Sequence, residues 1–298
     1  MLSVVYNTFT PIFLIVGAVM LVGRWVALDA RVFSRAIIYL FTPALVLNSI
    51  ATTELSAGEM GRVVLATIGC GLVMACLAWG VARLMGFSRH FTGTFLATAV
   101  IMNGLNFGIP FIRFAFGEHA YDRAVLFNVG QVFMVYTLGI YVISRGTGSV
   151  RESLKNVFTI PLPYAFTLGM MLNLLGWELP LPIGRAVGTL AEATVPCALV
   201  ILGLQLSHAR LAGQWRPLWT IAAVRFIGGA AIAMLLTLLT GLGGLTQQVF
   251  IVQYSMPVGV SSGVLAVEFG GDGEFAAAAV MFTTLISVVP LSILLAVV

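Results

Sequence analysis

Charged residues are scarce in this 298-residue sequence: they make up 9% of it, against 60% hydrophobic residues. Soluble domains average about 25% charged and 45–50% apolar residues, so a water-soluble globular domain is excluded. Cysteine is scarce too. Cys70, Cys76 and Cys197 lie in apolar segments with no Cys-x-x-Cys spacing and no clustered histidines, which argues against redox or metal chemistry and for small core hydrophobes. The first apolar segment, 8–24, lacks a basic leader and a small-residue cleavage site, so it reads as a retained span. The apolar segments contain no His/Glu metal set, Ser/Lys pair or Asp dyad, and the Gly241-Leu242-Gly243-Gly244 run is not followed by the Lys and Ser/Thr of a phosphate loop. An intramembrane enzyme is therefore not expected, nor is a cofactor.

What is present is long hydrophobic runs, and the mean hydropathy is +1.05. The runs reach about 20 residues, the length of a membrane-crossing helix; barrel strands would alternate over about ten. Hydropathy and turn residues predict an all-α integral membrane protein with ten spans, near 5–24, 33–53, 62–85, 91–116, 121–144, 157–176, 183–207, 217–240, 245–269 and 274–297. The longest polar connection, 145–156, divides the chain into a first repeat, 1–144, and a second, 157–298. Odd-numbered connections carry Arg24, Arg31, Arg35, Arg83, Arg89, Arg145, Arg151, Lys155, Arg210 and Arg216, whereas even ones carry only Arg62, Arg113, Arg123 and Arg185. By the positive-inside rule the odd connections face the cytoplasm of a cell-membrane protein and both termini face out. The net charge of +4 is then a topology signal and no pointer to nucleic acid.

Five spans per half is an odd number, so a duplicated half inserts the second time upside down. Residues 40–56 and 195–207 share a pattern that sets Pro43 opposite Pro196, and Phe116-Gly117 followed by Ala124-Val125 matches Phe269-Gly270 followed by Ala279-Val280. The offsets, 153 and 155 residues, are nearly constant. The fourth and ninth spans are each interrupted, by Asn103-Gly104-Leu105-Asn106-Phe107-Gly108-Ile109-Pro110 and by Ser255-Met256-Pro257-Val258-Gly259-Val260-Ser261-Ser262-Gly263. Proline and glycine also kink ordinary membrane helices, but interruptions at matching places of two halves point to a secondary transporter's binding site.

Each interrupted helix restarts with unpaired amides that together favour an anion, here a small carboxylate. The candidate binding residues are Asn103, Gly104, Asn106, Met256, Pro257, Val258, Gly259, Ser261 and Ser262, with Asn128 and Gln131 of the fifth span nearby. Gly108, Pro110, Pro257, Pro43 and Pro196 mark the breaks and hinges, with Pro257 expected at a first helical position. Two ionisable side chains within spans are candidates for coupling or charge balance: Glu192, as a proton carrier or a carboxylate near the outer face, and Arg225, facing a second substrate carboxylate or snorkelling to the interface. Asn48 and Gln205 are expected to form interhelical hydrogen bonds.

Asn103 to Pro110 resembles the fourth-helix crossover of the auxin efflux carrier family, and Ser255 to Val260 is similar to that family's ninth-helix crossover. Val224-Arg225-Phe226 and Val195 to Leu204 resemble its eighth and seventh helices, in the right order along essentially the whole chain. The resemblance implies two inverted five-helix repeats with helices 4 and 9 crossing. It further implies a scaffold of helices 1, 2, 6 and 7, a transport domain of helices 3–5 and 8–10, a homodimer and elevator-like alternating access. The family's crossover Asn falls on Asn103 and its ninth-helix proline on Pro257. Plant members place a proline before that Asn, where this chain has Met102. Short bacterial-type members are commonly described as malate or malonate permeases, which implies a small organic anion, with H⁺ or Na⁺ as the coupled ion if there is one. A sodium-coupled symporter of the bile acid transporter type is the same-fold alternative, and a channel or a receptor for a small carboxylate the more distant ones.

Overall fold

The computed structural model describes residues 2–143, 158–208 and 214–298. The expected linker at 145–156, together with Arg210, lies outside the described residues. Each of the ten apolar segments falls on helix. α1 (Leu2–Val22) is the first. The second joins α2 (Ala30–Ala36) through a π-helical turn, Ile37–Phe41, to α3 (Thr42–Thr52). α4 (Ala57–Leu84) is the third. The fourth holds two helices, α5 (Arg89–Val100) and α6 (Ile109–Phe116), with the π-helical turn Gly104–Gly108 leading into α6. The fifth contains α7 (Glu118–Met134), a π-helical turn Val135–Gly139 and α8 (Ile140–Ile143).

The sixth segment is α9 (Leu162–Leu175), and the seventh is α10 (Leu181–Glu192) followed by α11 (Thr194–His208). In the eighth, a π-helical turn Val224–Gly228 joins α12 (Trp215–Ala223) to α13 (Gly229–Thr240). The ninth again holds two helices, α14 (Gly244–Tyr254) and α15 (Ser261–Glu268). α16 (Gly273–Ile286) and α17 (Val288–Val297) form the tenth, bent by 52° where they meet. Among the described residues, five stretches, Ser3–Val22, Ala30–Thr52, Ala57–Leu84, Leu181–Ser207 and Trp215–Thr240, are long and apolar enough to cross a bilayer, and the bent pair taken as one span adds a sixth.

Local chemistry accounts for the boundaries. Ser56 and Ser88 each accept an N–H three residues on, from Glu59 and Phe91 at 3.2 Å, and Asp272 accepts that of Phe275 at 2.9 Å. Such N-caps satisfy amides that a helix cannot pair internally. Pro43 and Pro110 each follow a π-helical turn, Ile37–Phe41 and Gly104–Gly108, the kind of irregularity that goes with a residue lacking an N–H inside a continuing helix. Pro257 departs from the expectation that it starts a helix: α15 begins at Ser261, and Pro257 belongs to the extended backbone before it. Among the cysteines, Cys70 is buried and Cys197 partly so, but Cys76 is exposed on α4 and is not a core residue.

Packing falls into two groups. α3 lies between α9 and α10, and α11 packs on α1 and α2; α4 packs on α5, α7 and α13, while α14 packs on α7 and α13, and α5 on α15 and α16. The groups meet where α6 touches α1, α7 touches α3, and the Gly104–Gly108 turn lies against α11. At one end of the molecule Arg62 donates to the Gly241 carbonyl at 3.2 Å, Arg123 to Thr246 at 2.9 Å, and Thr246 to Glu59. Asn173 of α9 donates to the carbonyls of Thr53, at 2.9 Å, and Ala51, at 3.4 Å, covering orphan acceptors at the end of α3. Asn173→Leu removes these donors and is expected to cost about 1–3 kcal/mol. The detergent-solubilised variant should melt several degrees lower, whereas Thr189→Ala, which loses only a bond within its own helix, should melt with the wild type.

Candidate binding site at the paired helix breaks

The two breaks lie against each other. Met102 and Val258 form an antiparallel bridge, with the Asn103 N–H donating to the Pro257 carbonyl and the Gly259 N–H to the Ile101 carbonyl, both at 2.8 Å. A Cβ on Gly259 would stand 2.5 Å from the Met102 carbonyl oxygen, so only glycine permits this approach. Thr283 of α16 accepts the Val258 N–H at 3.0 Å. Backbone that leaves a helix inside an apolar body is in this way paired with backbone from the other half, as burial requires.

The helix C-termini at the breaks carry the remaining unmet acceptors, and one side chain serves most of them. Arg225, fully buried on the Val224–Gly228 turn, donates through Nη1 to the Ala99 carbonyl at 2.8 Å, and through Nε and Nη2 to that of Met256 at 3.2 and 3.0 Å. Nη2 also reaches the Tyr254 carbonyl, and the guanidinium lies 5.5 Å from the Tyr254 ring centroid. All three nitrogens are engaged with backbone. Arg225 neither snorkels nor faces a cavity; it joins the carbonyl ends of α5 and α14, where a cation also complements the helix dipoles. Gln131 covers the Val100 carbonyl at 3.3 Å.

Two further amides fix the restart of the first broken helix. Gln253 Nε2 donates to the Gly104 carbonyl at 2.9 Å, and Asn128 Nδ2 reaches the same oxygen at 3.4 Å and that of Ala124 at 2.8 Å. The Gln253 side chain lies so close that a Cβ on Gly108 would be 2.6 Å from its Oε1.

The opposite ends of the breaks face space. Leu105 and Asn106, at the start of one restart, and Val260 and Ser261, at the start of the other, line a single cavity of about 250 Å³. Its wall continues over Ser34, Ile37 and Ile38 before α3, over Ile201 and Gln205 of α11, and to Glu268 at the end of α15. Of the residues expected from sequence to bind, Asn106 and Ser261 line this cavity. Met256, Val258 and Ser262 are fully buried away from it, and Ser262 donates to the Gly259 carbonyl at 2.6 Å. Asn103 is 3% exposed, and its Nδ2 has no hydrogen-bond partner. Glu192 lies elsewhere, in a second, polar cavity of about 250 Å³ shared with Asn48, Ser49, Arg113, Tyr121 and Asp122. There Ser49 of α3 donates to Asp122 of α7, and Arg113 pairs with Glu118 at 2.7 Å. Sequence reasoning missed Gln253, Ser34 and Glu268 and gave Gln205 a different role. The readable signal for Gln253 was a lone amide in an apolar run one turn before a break.

A nearly all-helical, apolar body with several helices long enough to cross a bilayer is that of a multi-pass membrane protein. The chain belongs to the family described as "Membrane transport protein", whose model matches residues 4–159 and 148–295. It is 29% identical over 88% of its length, and 87% of the other, to an "Uncharacterized transporter" of Methanothermobacter thermautotrophicus. It is 25% identical, over 85% of its length and 82% of the other, to a protein of Rhizobium meliloti named "Putative malonate transporter". "Auxin efflux carrier component 1" of Arabidopsis thaliana is 29% identical over 45% of this chain and 22% of its own length. The family is one of transporters, not enzymes.

Arg225→Met leaves buried carbonyls without donors and is expected to cost about 1–3 kcal/mol for each one left bare, read as loss of a monodisperse peak after solubilisation. Gly108→Ala should lower the melting temperature by displacing Gln253, and Gln253→Ala in the same chain should recover part of that loss. A non-additive cycle of about 0.5–3 kcal/mol is expected for groups in such contact.

Proposed function

We propose that the protein is a secondary active carrier of a small carboxylate, bound where the two broken helices restart. The observation that carries this reading is that the first residues of both restarts, Leu105–Asn106 and Val260–Ser261, share one cavity wall. Helix N-termini present unpaired N–H groups and roughly half a positive charge each, so a carboxylate is favoured there without a cationic side chain.

In this reading the ten helical segments are ten spans in two inverted repeats, with the fourth and ninth crossing at Met102 and Val258. Departures from regular helix recur at the repeat offset. Thr42 and Thr194 each begin the helix after an irregular turn, Met134 and Ser287 mark the changes in the fifth and tenth segments, and Gly117 and Gly270 both take positive φ, 81° and 68°. The two packing groups correspond to a scaffold of spans 1, 2, 6 and 7 and a transport domain of spans 3–5 and 8–10, which moves past it in an elevator-like step. The protein works as a homodimer in the cell membrane with both termini outside. The membrane potential opposes uptake of a bare monoanion by about 2.3 kcal/mol per 100 mV, so uptake of such an ion uses a coupled cation, H⁺ or Na⁺, whereas export does not.

Labelled malonate, malate and indole-3-acetate offered to proteoliposomes under imposed pH or Na⁺ gradients test this reading. Saturable flux is expected for at least one carboxylate, reduced tenfold or more by Asn103→Ala or Asn106→Ala. Flux that ignores both substitutions would move the site elsewhere, and binding without flux would make the protein a receptor.

A further inference from the structure

The end of the molecule where α4 stops and α12 starts carries cations without carboxylate partners. Arg83 lies in the last turn of α4, its guanidinium carbon 5.2 Å from the centroid of the Trp79 ring. Arg216 lies in the first turn of α12 and reaches across to the end of α4, where its Nη2 meets the Met85 sulfur at 3.9 Å. Neither is within ion-pair distance of a carboxylate; among the described residues the ion pair is Arg113–Glu118, at the second cavity. α12 packs on α5 and α16, and the acid at the start of α16, Asp272, is spent on capping, since it accepts the Phe275 N–H at 2.9 Å.

Helix electrostatics do not account for Arg216. A cation at a helix N-terminus faces the positive end of the dipole, and Gln214 gives that end no side-chain cap. Both features favour an anion beside Arg216. The aromatic neighbours fix its depth. Trp79, Trp215 and Trp219 are each about half exposed, and tryptophans so placed on an apolar helical body mark the membrane–water boundary. Trp215 and Trp219 are held edge-on against Phe282 of α16, with centroids 6.1 and 5.0 Å away. The arginines therefore stand at the level of the lipid phosphates. A guanidinium that covers an aromatic face keeps its N–H edge free, and that edge matches two oxygens of a phosphate.

We infer that the surface between the end of α4 and the start of α12 binds the headgroup of an anionic phospholipid, Arg83 and Arg216 donating to its phosphate while Trp79, Trp215 and Trp219 lie along the upper part of its acyl chains. Basic pockets between membrane helices are suited to such headgroups. A zwitterionic lipid brings its own cation to its phosphate and gains less from the two arginines. The site does not depend on the carboxylate site proposed above.

The test uses the full-length protein with Trp25→Phe and Trp177→Phe, which leaves the three tryptophans of this surface as the fluorophores, in phosphatidylcholine vesicles. A minor fraction of lipid with brominated acyl chains is supplied either as phosphatidylglycerol or as phosphatidylcholine, and quenching at equal mole fraction gives the relative affinity. Brominated phosphatidylglycerol should be preferred about fivefold for each arginine that meets its phosphate, and the preference should shrink as salt is raised. Arg83→Gln with Arg216→Gln should bring the two lipids to equal quenching, whereas Arg83→Lys with Arg216→Lys should keep most of the preference. Arg24→Gln with Arg35→Gln removes the same charge elsewhere and should leave the preference unchanged. Gel filtration verifies that the variants fold. Equal quenching by the two lipids before any arginine is changed overturns the site. A preference that the Arg24 and Arg35 substitutions lower as much as those of Arg83 and Arg216 also overturns it, in favour of diffuse surface charge.

Discussion

The buried Arg225 guanidinium is the interaction on which the rest depends. Its donors meet the carbonyl ends of α5 and α14 and the extended residue Met256. Those acceptors exist only because two helices stop inside an apolar body. Unsatisfied backbone costs several kcal/mol each in hydrocarbon, so the breaks are tolerable only with a donor set that is forked, planar and always charged. Lysine offers one compact centre where arginine offers five N–H groups in a fixed geometry. Burying that charge is itself costly, and the dipoles of two helix C-termini offset the cost.

The breaks therefore have two chemically distinct sides. On one side the carbonyls of Ala99, Val100, Tyr254 and Met256 are met by Arg225 and Gln131, and those of Ile101 and Pro257 by backbone N–H groups from the other half. On the other, the starts of the restarts border open space. In the second cavity the Ser49–Asp122 hydrogen bond crosses the boundary between the two packing groups, while the Arg113–Glu118 ion pair lies within one of them. Polar residues line both cavities.

Much of the fold was legible because hydropathy and turn residues are one-dimensional signals. The apolar segments that fall on helix and the irregular backbone after Ile101 and Tyr254 were readable as strings. What was not readable depends on rotation about a helix axis. Asn103 and Asn106 look alike in sequence, yet one is enclosed and the other lines the cavity, because Asn103 belongs to the extended backbone paired with Pro257 and Asn106 to the helical turn Gly104–Gly108. Arg225 read as a charge in search of a solute or an interface, since no string records that its partners are carbonyls more than a hundred residues away. Pro257 read as a helix start because proline favours that position, and the extended pairing with Asn103 overrode the preference. Glu268 was not singled out in the sequence, and only the fold sets it on the same cavity wall as Ser34 and Gln205.

The bond from Arg225 to the Ala99 carbonyl joins residues 126 positions apart, and the Met102–Val258 bridge spans a still longer stretch. During synthesis the first half enters the bilayer well before either partner has been made. α5 and α6, at 12 and 8 residues, are each too short to cross alone, and their free carbonyls and amides wait in an apolar medium. Until the eighth and ninth segments arrive, the first half lacks the partners that its free carbonyls and amides have in the finished structure. Completion of the chain, more than insertion of any one helix, is the step that commits this protein to its structure.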